Sequence, residues 1–200
     1  MLEEYNMIPK HENEGRDLIK NRNKLRDEAA QLLNAQVSHE MWASLVYMAM
    51  GSHFNSEAHD RPGFAKFFRK NAEEEREHAM KISDYLNKRG THITGLNIKM
   101  PDTYNWETGL QALQEAIKME NKVTDLLIDI HKVATDSGDG ALTDFLESEF
   151  LDEQIESIRM LQRYINTLEL MVNTHKSRHD NKQGMMAEYL FDLQLQGKEC

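Results

Sequence analysis

Apolar positions recur at intervals of three and four over long stretches of the chain, and only Pro9, Pro62 and Pro101 can interrupt such stretches as prolines. The pattern predicts a polar tail over residues 1–22 and a single helical domain over residues 23–200. A first helix spans about residues 24–54, and a loop with Asn55, Asp60 and Pro62 leads into the second. The second helix ends near residue 89, before Gly90. The connection "GTHITGLNIKMPDTYN" carries no helical period. A third helix covers about residues 106–135, the turn "TDSGDG" follows, and a fourth covers about residues 141–171. After the polar segment "NTHKSRHDNKQG", a short amphipathic helix, "MMAEYLFDLQLQ", closes the pattern. Long helices joined by short, long and short connections predict an all-α four-helix bundle. The long crossover makes helices two and three parallel neighbours, and the fifth helix is short.

A bundle helix buries positions spaced alternately three and four apart. In helix two that series is Phe64, Phe68, Asn71, Glu75, His78, Ile82 and Tyr85. The stretch "NAEEEREHAM" therefore divides: Glu75 and His78 point inward, Glu74 and Glu77 lie beside the seam, and Arg76 points away. Helix three gives Leu110, Leu113, Ile117, Glu120, Thr124 and Leu127, and helix one gives Leu33, Val37, Glu40, Ser44 and Tyr47. Helix four gives Phe150, Gln154, Ser157, Leu161, Tyr164 and Leu168, so Gln-x-x-Ser stands where helix two has Glu-x-x-His.

Acids buried alone cost several kcal/mol each, by order of magnitude, so three of them must protonate or share cations. Glu-x-x-His by itself is commonplace on helices. With Glu40 and Glu120 in register it matches the way helical bundles hold two iron ions. Hard carboxylate oxygens with one imidazole suit iron that cycles between its ferrous and ferric states.

The charge balance agrees with cations as partners. Lysine and arginine total 24 against 34 acids, a net charge of -10, which speaks against nucleic acid. No run of about 18 apolar residues predicts a membrane span. The first residues lack the apolar core of a secretory signal, and their acidity argues against a transit peptide. The single cysteine, Cys200, excludes an intrachain disulfide framework and fits a reducing, cytoplasmic setting.

The stretches "NAQVSHEMWASLVYMAM", "FAKFFRKNAEEEREHAMK", "DTYNWETGLQALQEAIKMENKV", "HKVATDSGDGALTDFLESEFLDEQIESI" and "MMAEYLFD" together resemble ferritin of the iron-oxidising heavy-chain type, over about residues 25–192. The resemblance implies a hollow 24-subunit shell, a homo-oligomer open to co-assembly with another ferritin subunit. Such a shell oxidises ferrous iron with dioxygen and stores a ferric mineral. It also implies roles for individual residues. Glu40, Glu75 and His78 match a first iron site; Glu120 and the bridging Glu75 match a second, with Gln154 close by and Tyr47 beside the centre. Ser157 fills a position that varies in the family. Glu74 and Glu77 match inner-surface acids of mineral nucleation or iron transit, where the next position used in some members is Met80. Asp144 and Glu147, with His131 nearby, match threefold channels that admit iron. Met186, Leu190 and Gln194 fit a fourfold channel. The segment at about residues 173–183 is longer than usual and brings His175 and His179, which read as part of an extended loop rather than a metal site.

Three rival readings differ at identifiable positions. A bundle enzyme that retains its di-iron centre wants a second Glu-x-x-His on helix four. A shell subunit that only nucleates mineral lacks Glu75 or His78. A plain helical interaction module leaves the seam acids unexplained.

Overall fold

A computed structural model describes residues 23–98, 106–174 and 182–197. The expected tail, His175, His179 and Cys200 lie outside the described residues. Helix α1 covers Asp27–Phe54, α2 Pro62–Lys88 and α3 Gly109–Asp136. A fourth rod is continuous but composite: α4, Gly140–Leu146, passes through a π-helical segment, Glu147–Leu151, into α5, Asp152–Thr174. Helix α6, Lys182–Gln196, is short. The fold is the expected ferritin-like bundle, and among the described residues no helix is long and apolar enough to cross a membrane.

Local chemistry marks the helix ends. Thr108 Oγ1 accepts from Gln111 N at the start of α3, and Asp139 Oδ1 accepts from Leu142 N at the start of α4, each at 3.1 Å. Gly90, at φ 73°, takes the left-handed conformation that turns the chain away after α2.

The described ends of the crossover lie against α1. Leu25 N donates to Arg89 O, Thr94 N donates to Asn34 Oδ1, Asn34 Nδ2 donates to Gly95 O, and His53 Nε2 meets Trp106 O at the far end. Helices α2 and α3 thus start at the same end and run parallel. They are not packed neighbours, which corrects the sequence expectation. Helix α1 packs on α2 and on α3, and α3 packs on α5. Rings of Phe67 and Tyr164, and of His78 and Phe150, close the side between α2 and the fourth rod. This puts α2 and α3 at opposite corners.

Two apolar clusters fill the bundle. One, at the α6 end, gathers Phe54, Phe64, Phe68, Trp106 and Phe191; the other gathers Leu33, Ile82, Leu127, Leu146 and Phe150. The sequence-predicted acids fall between them.

Helix α6 is fastened to the start of α2. Arg61 supplies no side-chain cap there. Asp192, 1% exposed, does so from the other end of the chain: its Oδ1 accepts from Phe64 N at 2.9 Å, and its Oδ2 accepts from Gln196 Nε2 at 2.8 Å. A Cβ on Gly63 would come within 2.1 Å of Asp192 O, so only glycine admits this approach. Asp192→Ala leaves a buried N–H without a partner. It should cost about 1–3 kcal/mol, measured as a loss in unfolding free energy in denaturant.

Candidate metal centre

The waist between the two apolar clusters is polar. Glu40 on α1, Glu75 and His78 on α2, Glu120 on α3 and Gln154 on α5 are all buried, with Glu40 at 0% exposure. Glu40, Glu75 and His78 each offer a ligand atom within 4.8 Å of the others, the geometry of a three-ligand cation site. His78 Nδ1 stands 3.7 Å from Glu75 Oε2. Glu120 forms the other side. It accepts from the Tyr47 hydroxyl and, through Oε2, from Gln154 Nε2 at 3.1 Å. Gln154 Nε2 also reaches Glu120 O and Thr124 Oγ1. Glu40 Oε2 and Glu75 Oε2 have no hydrogen-bond partner. Such orphans are rare in a buried site, and a bound cation is one way to satisfy them.

Electrostatics supports the same view. Burial is the first cause that raises the carboxyl of Glu40 well above its usual range, and the charge of Glu75 adds to it. Burial and then the Glu120 charge push Glu75 up to about 8. Glu120 is raised by burial, and Tyr47 is raised well by burial and then by the Glu120 charge. Without cations Glu75 holds its proton at neutral pH, and burial favours the neutral form of Glu40 and of Glu120. A divalent ion bound here would displace such protons, so its binding would tighten as pH rises.

The other residues named from sequence lie at the edge of this waist or farther off. Glu74 is half-buried and pairs with Lys70 at 3.2 Å, while Glu77 and Met80 are exposed. Ser157 is half-buried and lines, with Glu74, Glu75, His78 and Gln154, a cleft of about 280 Å³ that opens from the centre. His131 Nε2 meets Glu147 Oε1 at 2.7 Å, and Asp144 and Glu147 are exposed one turn apart on the fourth rod. Met186, Leu190 and Gln194 share an exposed face of α6.

The seam rule overlooked two residues. Glu153 Oε2 lies 3.2 Å from His78 Nε2. A carboxylate on the far nitrogen fixes the ring so that Nδ1 faces Glu75, the usual support of a metal-binding histidine. Its signal was its place beside Gln154 at the seam's edge, as Glu74 lies beside Glu75. Gln36, 1% exposed on α1, donates from Nε2 to Glu40 Oε1 at 2.7 Å.

A bundle of parallel and antiparallel helices with a carboxylate and histidine waist defines a helical metal-binding protein. Comparison with known proteins carries this further. The ferritin-like domain family matches residues 30–171. Soma ferritin from Lymnaea stagnalis is 46% identical over 136 residues, 68% of this chain and 78% of that one. The ferritin middle subunit of Salmo salar is 41% identical over 170 residues (85% and 92%). The ferritin lower subunit of Aquarana catesbeiana is 39% identical over 165 residues (82% and 91%). The chain belongs to the ferritin family.

The raised carboxyl of Glu75 has a consequence for stability. Between the ordinary glutamate value, near 4.5, and about 8, the folded metal-free protein keeps a proton that the unfolded chain has lost. Stability contributed by this group therefore falls as pH rises across that window. Glu75→Gln removes the ionisation. At pH 8 it should stabilise the metal-free protein by a few kcal/mol in order of magnitude, and at pH 5 by much less. Denaturant unfolding at the two pH values measures the difference.

Proposed function

We propose that this ferritin is an iron-storing ferroxidase: it oxidises ferrous iron with dioxygen inside the bundle and keeps the ferric product as a mineral within a hollow shell. The observation that carries the reading is the pair of buried carboxylate oxygens at the waist, Glu40 Oε2 and Glu75 Oε2, that lack hydrogen-bond partners in a setting where burial opposes their ionisation. Glu40, Glu75 and His78 bind one ferrous ion, and Glu75 and Glu120 bind the other with Gln154 alongside. Two divalent ions bring four positive charges to three carboxylates, which removes the cost of ionising the acids in an apolar surround. Each ferrous ion gives up one electron. The pair reduces one dioxygen to hydrogen peroxide with two protons, and no one-electron oxygen product is released. Tyr47 holds Glu120 through its hydroxyl.

Glu74 and Glu77 serve nucleation or transit toward the stored mineral. Asp144, Glu147 and His131 line the inlet, three copies around a symmetry axis making a ring of acids that concentrates cations. The assembly is a 24-subunit shell in the cytoplasm, able to take in a second ferritin subunit type. A bundle enzyme with a resident di-iron cofactor is the rival. Gln154 and Ser157 weigh against it, because a neutral amide and a hydroxyl hold iron less firmly than carboxylate and imidazole. Product that must leave is better served by such a site.

Aerobic oxidation of ferrous iron by the purified protein, with particle mass recorded, tests the reading. Iron that stays at two per subunit through dialysis supports the rival. Glu75→Ala with His78→Ala should leave an assembled shell whose initial oxidation rate is lower by roughly two orders of magnitude; wild-type rates in that variant defeat the site assignment. Asp144→Ala with Glu147→Ala should slow oxidation at low ferrous concentration in the intact shell, with the difference vanishing when iron is saturating.

A further inference from the structure

Gln36 has no part in the scheme above, although it touches a proposed ligand. It sits one turn before Glu40, 1% exposed, and its amide donates to Glu40 Oε1 at 2.7 Å. Its own Oε1 is buried without a partner. An unpaired buried amide oxygen costs about 1–3 kcal/mol, and an apolar side chain of similar length avoids that cost. Packing alone therefore does not account for an amide at this position. Its one polar contact is with Glu40, and that contact leaves Glu40 Oε2 as the carboxylate's only unpartnered oxygen. Across the waist, Gln154 Nε2 engages Glu120 Oε2 at 3.1 Å. Each of the two outer carboxylates thus carries a glutamine amide, one from its own helix and one from α5.

We propose that Gln36 is a positioning residue for the first metal: by occupying Oε1 it holds Glu40 as a one-oxygen ligand through Oε2. This rests on the ferroxidase reading of the same site. To chelate a cation with both oxygens, the carboxylate would have to turn away from this N–H group or share Oε1 between the amide and the ion, and the 2.7 Å bond opposes that movement. The metal then keeps a coordination position that a chelating Glu40 fills, and a position of that kind is what an incoming oxidant needs. The amide also removes rotamer freedom from Glu40 before the ion arrives, so less ordering is left for binding to bring about.

The test replaces the amide with a side chain of matching length, Gln36→Met, in the assembled protein. Cobalt(II) is the probe, since it occupies such sites without turning over and its visible bands report coordination number. In the variant the tightest cobalt per subunit should bind about tenfold or more weakly, its visible band should change, and KM for ferrous iron should rise more than kcat falls. Thermal stability should equal or exceed that of the parent. Parent-like cobalt affinity and an unchanged band in Gln36→Met overturn the proposal. Gln36→Leu also removes the donor and adds no ionisable group; it should show the same loss, and parent-like cobalt binding in it overturns the proposal even where Gln36→Met does not assemble. Glu40→Ala separates the two readings. If it abolishes tight cobalt binding and both Gln36 variants bind normally, only the role of Gln36 fails. If Glu40→Ala also binds and oxidises normally, the ferroxidase site itself is misplaced.

Discussion

Three carboxyl groups taken out of water are the constraint around which the bundle is arranged. Glu40, Glu75 and Glu120 are nearly inaccessible, and each sits on a different helix. An isolated charge there is unfavourable by several kcal/mol, in order of magnitude. The acids persist because apolar clusters above and below bring the helices together regardless of what lies between. Phe54, Phe64 and Phe68 stack on one side, and Leu33, Ile82 and Leu127 pack on the other. The waist inherits its geometry from this packing, so its polar atoms are placed before any cation is present. The hydrogen bonds that remain are selective. Tyr47 and Gln154 engage Glu120, Gln36 engages Glu40, and Glu75 keeps an oxygen with no partner.

Much of this was legible in the sequence because burial on a helix is periodic. Glu75 and His78 stand in line with Phe68 and Ile82, and Glu120 stands in line with Leu113 and Leu127, so inward orientation follows from spacing alone. Gln36 escaped because it lies next to Val37 and one place off the alternating series; a polar residue there reads as solvated. Glu153 escaped for a related reason. It is nearly half exposed, and only its contact with His78 across to α2 gives it meaning. Asp192 reads as the water-facing acid of an amphipathic helix, and nothing near it in sequence reveals a partner far upstream.

The arrangement of helices shows a different limit. A long connection after α2 implies a parallel return, because a chain that must traverse the bundle's length arrives at the end where α2 began. Connection length does not decide which corner α3 takes. Asn34, which receives Thr94 N and donates to Gly95 O, holds the start of the crossover against α1, and no spacing in the sequence marks it for that contact. The π-helical segment is equally hidden. An extra residue in one turn shifts the phase of the fourth rod. Glu147 faces His131 at its start, while Phe150 and Gln154 are turned inward.

The bond between Asp192 and Phe64 joins residues 128 positions apart. At synthesis rates of about 5–20 residues per second, roughly 6–25 seconds separate the two on the ribosome. Throughout that interval the start of α2 waits without its partner, and the glycine at position 63 is a gap in the surface. The cluster around Leu33, Ile82 and Leu127 uses no residue of the last helix, whereas this corner is complete only when that helix emerges. Until then Phe64 lacks the ring of Phe191, whose centroid stands 5.7 Å away in the finished fold.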